Sequence, residues 1–308
     1  MYQIVFLVTD ILWLILQIFH SICESVFNSI FSFKKNVANE IVLITGTGHG
    51  IGKELAIQYA RLGARVVCLD VNQETNKNTV EEIKLTVKNL KENAVYAYHC
   101  DISNRDNVFE VAKKVRTDVG DVTILINNAG IMPCRAFLDH TTDQIRQIFD
   151  INVLSHFWML QAYLPNMIKN NHGHVVALSS IAGLSGVPYL VPYCSAKYAV
   201  RGLMNTINEE LRIQTENKSL IKFTTIFPYM VNTGLCKKPK VNERLSWVMN
   251  IKQPADIAAE IIAAQRQDVF EKSIPFYWLS IAAILNCLPV KTTNYMKDFL
   301  ASGVEPDN

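Results

Sequence analysis

No Cys-x-x-Cys pair occurs in this 308-residue chain, and its seven cysteines, Cys23, Cys68, Cys100, Cys134, Cys194, Cys236 and Cys287, are odd in number and scattered. That argues against a disulfide framework and a zinc site, and for reducing surroundings. Cys68 and Cys100 fall in apolar strand-like runs, where a thiol serves as a small buried hydrophobe, and Cys194 reads as packing rather than as a nucleophile. An excess of one charge is also missing. Formal net charge is only +2, with no basic cluster beyond Lys34-Lys35 and Lys237-Lys238, so no nucleic-acid partner is expected. What is present is apolar bulk: 49% of the residues are hydrophobic, enough to bury one large α/β domain with appendages.

A secretory signal is lacking too, because the amino end has neither a positive start nor a small-residue cleavage site. Ile4 to Phe33 is nearly all large apolar residues, including Trp13, Phe19, Phe27 and Phe31, and then meets Lys34-Lys35. Residues 1–35 are therefore expected to anchor the chain in or on a membrane. Asp10, Gln17, His20 and Glu24 oppose a plain span, since a centred carboxylate costs at least ~2.5 kcal/mol on insertion scales. At ~100° per residue, Asp10, Gln17, Ser21, Glu24 and Asn28 share a stripe roughly 60° wide, so the helix can lie deep in an interface. Monotopic seating in a lipid monolayer is preferred to a tilted span, and the positive-inside tendency places the rest in the cytosol. A second apolar run, Ile274 to Leu288, is short for a span. It reads either as a buried helix closing the core or as a second lipid contact. The expected division is an anchor over 1–35, a nucleotide-binding domain over 36–270 and a carboxyl-terminal apolar helix with tail over 271–308.

After Glu40, the run Ile41-Val42-Leu43-Ile44 suits a fully buried parallel strand, and Thr45-Gly46-Thr47-Gly48-His49-Gly50-Ile51-Gly52 follows at once. Strand, glycine turn and helix make a nucleotide site: Gly46 permits the tight turn, Gly50 lets backbone approach a pyrophosphate, and Gly52 lets the helix 51–62 pack closely on the sheet. The amino end of that helix faces anionic phosphate. The spacing is Gly-xxx-Gly-x-Gly, not the stricter Gly-x-Gly-x-x-Gly. Residues 64–69 read as a second strand ending in Asp70, placed to accept ribose hydroxyls and repel a 2′-phosphate. With no arginine in the next few positions, NAD is expected over NADP; a strand-end turn aspartate is the plainer reading of Asp70. Residues 95–100, followed by Asp101-Ile102-Ser103, and residues 122–126 add a third and a fourth strand, which predicts a doubly wound parallel sheet of the Rossmann type.

Far downstream, Tyr193 and Lys197 stand four residues apart, which puts a phenol and an ammonium on one helix face. A phenol with pKa near ~10 must drop by roughly 3 units, about 4 kcal/mol, to act as a base near neutrality. A neighbouring cation has the right sign to lower it.

At Asn127-Asn128-Ala129-Gly130 the chain resembles the short-chain dehydrogenase/reductase family. The glycine turn, this Asn-Asn-Ala-Gly and the Tyr-xxx-Lys agree in order and spacing, as do Ser180, thirteen positions before the tyrosine, and Asn152 in Asp150-Ile151-Asn152-Val153. The resemblance spans roughly residues 38–235. It implies a catalytic tetrad of Asn152, Ser180, Tyr193 and Lys197. It implies cofactor contacts at Gly46, His49, Gly50, Ile51, Gly52, Asp70, Asp101, Ile102, Asn128, Ala129, Gly130, Tyr193, Lys197, Val231 and Thr233. Asn152 is implied to interrupt a helix's regular bonding and hold a water. The membrane-prone start and Val187-Pro188-Tyr189-Leu190-Val191-Pro192-Tyr193-Cys194 are similar to the branch of lipid-droplet 17-beta-hydroxysteroid dehydrogenases and epidermal retinol dehydrogenases.

That branch implies a hydrophobic alcohol substrate and lodging on endoplasmic reticulum or droplets. Retinol leads, from Ala182-Gly183-Leu184-Ser185-Gly186, with steroids or fatty alcohols next. One departure is Tyr229 after Pro228, where the family has Pro-Gly, and it predicts displacement of the contacts at Val231 and Thr233. The substrate pocket is expected from Met132 to Phe137, Leu184 to Leu190 and Tyr229 to Trp247. Family analogy implies a homodimer through helices near 152–167 and 195–213, whose apolar residues Phe157, Trp158, Leu203 and Ile207 core packing explains equally well. Two competing readings are an NADPH-linked carbonyl reductase, opposed by Asp70, and an idle droplet scaffold, opposed by the complete tetrad.

Overall fold

The computed structural model describes residues 2–30, 33–245, 249–300 and 303–307. Phe31 and Trp247 lie outside the described residues, as does the side chain of Asn28. The chain forms two compact units, 1–36 and 37–308. In the first, α1 (Tyr2–Ile30) is a single helix, and its stretch Phe6–Glu24, of mean hydropathy 1.8, is long and apolar enough to cross a membrane. Its described side chains, Trp13 and Phe19 among them, are exposed.

In the second unit, strands β1 (Ile41–Thr45), β2 (Arg65–Asp70), β3 (Val95–His99), β4 (Ile124–Asn127), β5 (His174–Leu178), β6 (Lys222–Pro228) and β8 (Glu271–Ile274) form a parallel sheet in the order β3-β2-β1-β4-β5-β6-β8. A short antiparallel pair, β7 (Pro239–Lys240) with β9 (Gly303–Val304), lies apart from it. The helices are α2 (Gly50–Arg61), α3 (Gln73–Thr86), α4 (Arg105–Asp118), α5 (Thr142–Phe149), α6 (Ser155–Asn170), α7 (Val191–Gln214), α8 (Pro254–Arg266), α9 (Trp278–Cys287) and α10 (Val290–Leu300).

Successive strand side chains point to opposite faces, and both faces of the central strands β1, β4 and β5 are covered, which is why these read as nearly unbroken apolar runs. On one face Val42, Ile44, Val66, Ile126 and Val176 pack with Leu55 of α2, Ile83 of α3 and Ile261 of α8. On the other, Leu43, Val67, Leu125 and Val175 pack with Val111 of α4, Met159 of α6 and Met204 of α7. Cys68 and Cys100 are buried in these two layers as free thiols. This is the expected doubly wound sheet. Strand order reverses between β1 and β4, so their carboxyl ends diverge and leave a crevice there.

The division expected at residue 270 does not mark a break. Residues 271–274 pair with 225–228 as the edge strand of the main sheet, and Arg201 of α7 donates two 2.7 Å bonds to the Glu271 carboxylate. The apolar run that follows buries Trp278, Ala282 and Leu285 and leaves Phe276 and Ile284 exposed. One side of α9 thus closes the core.

Candidate active site

The crevice is built by locking two turns together. Thr45, the last residue of β1, has a hydroxyl that accepts from the backbone N–H groups of Asn128 and Ala129, each at 3.0 Å. Asn128 Nδ2 donates back to the Thr45 carbonyl at 2.8 Å. Gly46 and Gly50 sit at φ 73 and 60, the left-handed region where only glycine is unstrained. The α2 amino terminus then opens onto the crevice with exposed His49 before it, a residue whose side chain makes no capping bond.

Asp70 stands at the carboxyl end of β2, almost wholly buried. Its carboxylate accepts from the Gly48 N–H and the Asn72 N–H, both at 2.8 Å. Two backbone donors hold it in one orientation, which fixes a negative charge at the edge of the crevice. At the next strand end Asp101 is braced by Ser103, whose N–H and hydroxyl donate to Oδ1 at 3.0 and 2.6 Å.

Across the crevice, α7 carries Tyr193 and Lys197 on one buried face, and Ser180 follows β5. Lys197 Nζ donates to the Leu178 carbonyl at 2.8 Å and lies 5.5 Å from the Tyr193 ring centre. Between α5 and α6 one turn is widened into a π-helix over Asp150–Leu154. Asn152, on that turn, is fully buried. Its amide clamps Ile131 from both sides, accepting from the N–H at 2.9 Å and donating to the carbonyl at 2.8 Å. The interruption of regular helix bonding expected at Asn152 is therefore present, and it ties the turn to the loop after β4.

One expectation is corrected. Lys197 does not lower the phenol of Tyr193 here; burial pushes that phenol above its ordinary value, and the Ser180 hydroxyl bond is the main influence pulling it back. The reason is desolvation: a phenolate in this apolar surround loses more solvation than the nearby groups return. Burial also lowers Lys197, to about 8, which leaves it an ammonium at neutral pH. His156, buried four residues beyond Asn152, is lowered to about 3 by burial and then by the Lys197 charge, so it is a neutral imidazole.

A cavity of about 840 Å³ runs from Asp70, Asp101 and Gly46 at one end to Ser180, Tyr193 and Lys197 at the other. All the expected cofactor residues line it except Gly52, and all the tetrad except Asn152. Those two act from behind: Gly52 by close packing, Asn152 through Ile131. The residues fit a dinucleotide, since a Cβ on Gly50 would stand 3.0 Å from Thr233 Cγ2 and close the cradle where backbone must approach phosphate. Val231 and Thr233, expected to be displaced by Tyr229, both line the cavity. The Tyr229 ring is buried and stacks on Trp278 of α9 at 5.6 Å and 19°, and Tyr229 lines the cavity beside them.

Of the expected substrate segments, Met132, Val187, Leu190, Met230, Leu235 and Cys236 line the far end. Phe137 is exposed instead, and Leu184 packs with Phe227 and Ala282. Two contributors were not foreseen: Asp143, Arg146 and Gln147 of α5, and Gly303 with Val304. The amphipathic run 142–149 could have suggested the first, but nothing in the sequence points to the second.

With this sheet order, glycine cradle and Ser-Tyr-Lys arrangement in place, the class follows: the short chain dehydrogenase family model matches residues 40–244, and the chain belongs to that family. It is an oxidoreductase, a dehydrogenase acting on CH–OH donors with a nicotinamide cofactor. Among relatives, it is 41% identical over 269 residues to epidermal retinol dehydrogenase 2 of Mus musculus, covering 87% of this chain and 84% of that one. It is 39% identical over 234 residues to 17-beta-hydroxysteroid dehydrogenase 13 of Homo sapiens, covering 76% of each. A solved short-chain dehydrogenase/reductase from Burkholderia phymatum in complex with NAD has the same fold, with a TM-score of 0.71 at 21% identity over 89% of this chain and 99% of that one.

Proposed function

We propose that this enzyme moves hydride reversibly between NAD and a hydrophobic alcohol, retinol first and a steroid or fatty alcohol next, while lodged on endoplasmic reticulum or a lipid droplet with its catalytic unit in the cytosol. The observation that carries the reading is the single cavity that joins a fixed carboxylate at Asp70 to an apolar end beside Tyr193. Asp70 supports NAD over NADP, because a 2′-phosphate brought to its held carboxylate meets like charge in a partly desolvated site. The names of the relatives support retinol and steroids as substrate classes.

In this mechanism Ser180 hydrogen-bonds the substrate oxygen and holds it about 3 Å from Tyr193, whose phenolate form removes the hydroxyl proton. Lys197 keeps its ammonium toward the same cleft and holds the nicotinamide ribose. The widened turn at Asn152 keeps a water that passes the proton to solvent. A bound oxidised nicotinamide dinucleotide supplies the hydride acceptor and one positive charge. That charge would join the Ser180 hydroxyl bond in opposing the burial penalty on the phenol. A homodimer through α6 and α7 belongs to the same proposal, with Phe157 and Ile168 on α6 and Ile213 on α7 among their exposed apolar residues.

Turnover tests the reading: purified membranes given retinol, estradiol or a long-chain alcohol should form NADH with at least one, and be slower with NADP on each. Formation of NADPH faster than NADH would reject the cofactor assignment. Deleting residues 1–33 should move the protein from the membrane pellet to the supernatant, because α1 presents a continuous apolar surface to its surroundings. Retention in the pellet would show that the anchor lies elsewhere.

A further inference from the structure

We propose that the carboxyl-terminal tail, residues 303–307, is the outer wall of the substrate end of the cavity, and that Val304 is a residue that determines which alcohols fit. The inference rests on the reading of the site as one for hydrophobic alcohols and goes beyond it by assigning the size limit to a segment outside the family match.

The tail is bonded in on both sides. Val304 is buried and belongs to the apolar cluster that contains Tyr193, Leu190, Ala182 and Cys134. Gly303 and Val304 both line the cavity. On one side β9 pairs with β7, so that Pro239 faces Val304 and Lys240 faces Gly303, and the Glu305 N–H donates to the Lys238 carbonyl at 3.0 Å. On the other, the Asp307 N–H donates to the Cys134 carbonyl at 2.7 Å, the Cys134 N–H donates to the Asp307 carboxylate at 3.2 Å, and the Cys134 thiol faces the Glu305 carbonyl at 3.1 Å. Beyond Cys134, the Arg135 N–H donates to the Tyr189 carbonyl at 3.0 Å. The tail thus spans from the loop after β6 to the loop after β4, and that loop joins the one leading into α7.

A wall of this kind selects by volume. The reacting carbon must sit beside Tyr193, so the rest of a long alcohol extends among Met132, Val187, Met230 and Val304. A side chain of about one to a few methylenes' difference there changes discrimination by roughly tenfold to a few hundredfold. A short alcohol that ends before the wall is indifferent to it. Five residues held by a two-residue β-pair, a few hydrogen bonds to the loop after β4 and the burial of Val304 also form a removable wall, unlike the sheet beneath.

The test uses full-length protein in its membranes, as wild type, Val304→Ala and Val304→Trp, with kcat/KM measured on cyclohexanol and on retinol and NADH affinity followed by fluorescence. Val304→Trp should lower kcat/KM for retinol about tenfold or more relative to cyclohexanol, mainly through KM, with NADH affinity unchanged. Val304→Ala should raise kcat/KM for retinol relative to cyclohexanol. Parallel loss on both alcohols, or no change on either, would overturn the assignment. If the wild type turns over neither alcohol, the functional reading fails and the wall is judged by a second measurement, N-ethylmaleimide labelling of Cys134 read by peptide mass spectrometry. In a chain ending at residue 302, Cys134 should label much faster than in the full chain while Cys68 stays protected; equal Cys134 rates, or loss of Cys68 protection with it, would refute the wall.

Discussion

Tyr193→Phe removes one oxygen and is expected to bring turnover down to background while NADH still binds. The ring fills a buried place in the cluster with Leu190, Cys194 and Val304, and phenylalanine keeps that packing, so the fold and the cofactor end of the cavity remain. What is lost is the group proposed to accept the substrate proton. A positioned acid-base residue contributes about 10² to 10⁴ in rate, and two groups near Tyr193 are poor substitutes: Lys197 is committed to the Leu178 carbonyl and His156 is buried and neutral. Stopped assays of kcat alongside an NADH titration separate the two effects. Turnover within tenfold of wild type would remove Tyr193 from the mechanism.

Gly52→Ala is expected to weaken dinucleotide binding about a hundredfold, although the change is one methyl group and Gly52 does not line the cavity. A Cβ there would run into the Gly46 carbonyl oxygen, stand 2.7 Å from the Gly46 carbonyl carbon and 2.6 Å from Asn128 Nδ2. None of these can move cheaply. The Gly46 carbonyl belongs to the turn that must approach phosphate, and Asn128 is the bolt between the two turns through its bond to Thr45. Overpacking of this sort costs about 1–3 kcal/mol in stability, and here the relief comes by pushing α2 away from the turn and spoiling the cradle. An NADH titration should show affinity falling by about two orders of magnitude, about 2.7 kcal/mol, with a lowered thermal midpoint. Wild-type affinity in this variant would mean that the turn tolerates displacement and that the cradle is not what holds the cofactor.

The sheet and the nucleotide end were legible because their information is local. Each of the first four strands, from Ile41 to Asn127, is a compact run followed by its own loop, and the expected cofactor residues at this end sit within a few positions of those strand ends. Asp70, Asp101 and Asn128 could be placed by counting from a strand. Tyr193 and Lys197 were equally legible, since helical spacing alone puts them on one face. The parts that were not legible depend on contacts between distant segments. Tyr229 looked like an obstruction until Trp278, nearly fifty residues on, took its ring. The boundary at 270 failed for a similar reason: Glu271–Ile274 is too short a run to announce itself, and only pairing with Thr225–Pro228 makes it a strand. Val304 reaches Tyr193 from more than a hundred residues away. The sign of the Tyr193 shift was missed because a pair written as cation and phenol shows the attraction and hides the desolvation that opposes it.

The central claim is that a lipid alcohol and a nicotinamide dinucleotide meet at Tyr193. Its most direct measurement is isotope transfer: membranes holding the full-length enzyme, NAD and retinol deuterated at the carbinol carbon, with the dinucleotide then examined by mass spectrometry. The account predicts one deuterium gained by the reduced dinucleotide, and none gained with Tyr193→Phe. Unlabelled dinucleotide from the wild type, under conditions where NADH is bound and retinol, a deuterated steroid alcohol and a deuterated long-chain alcohol have each been supplied, would contradict it.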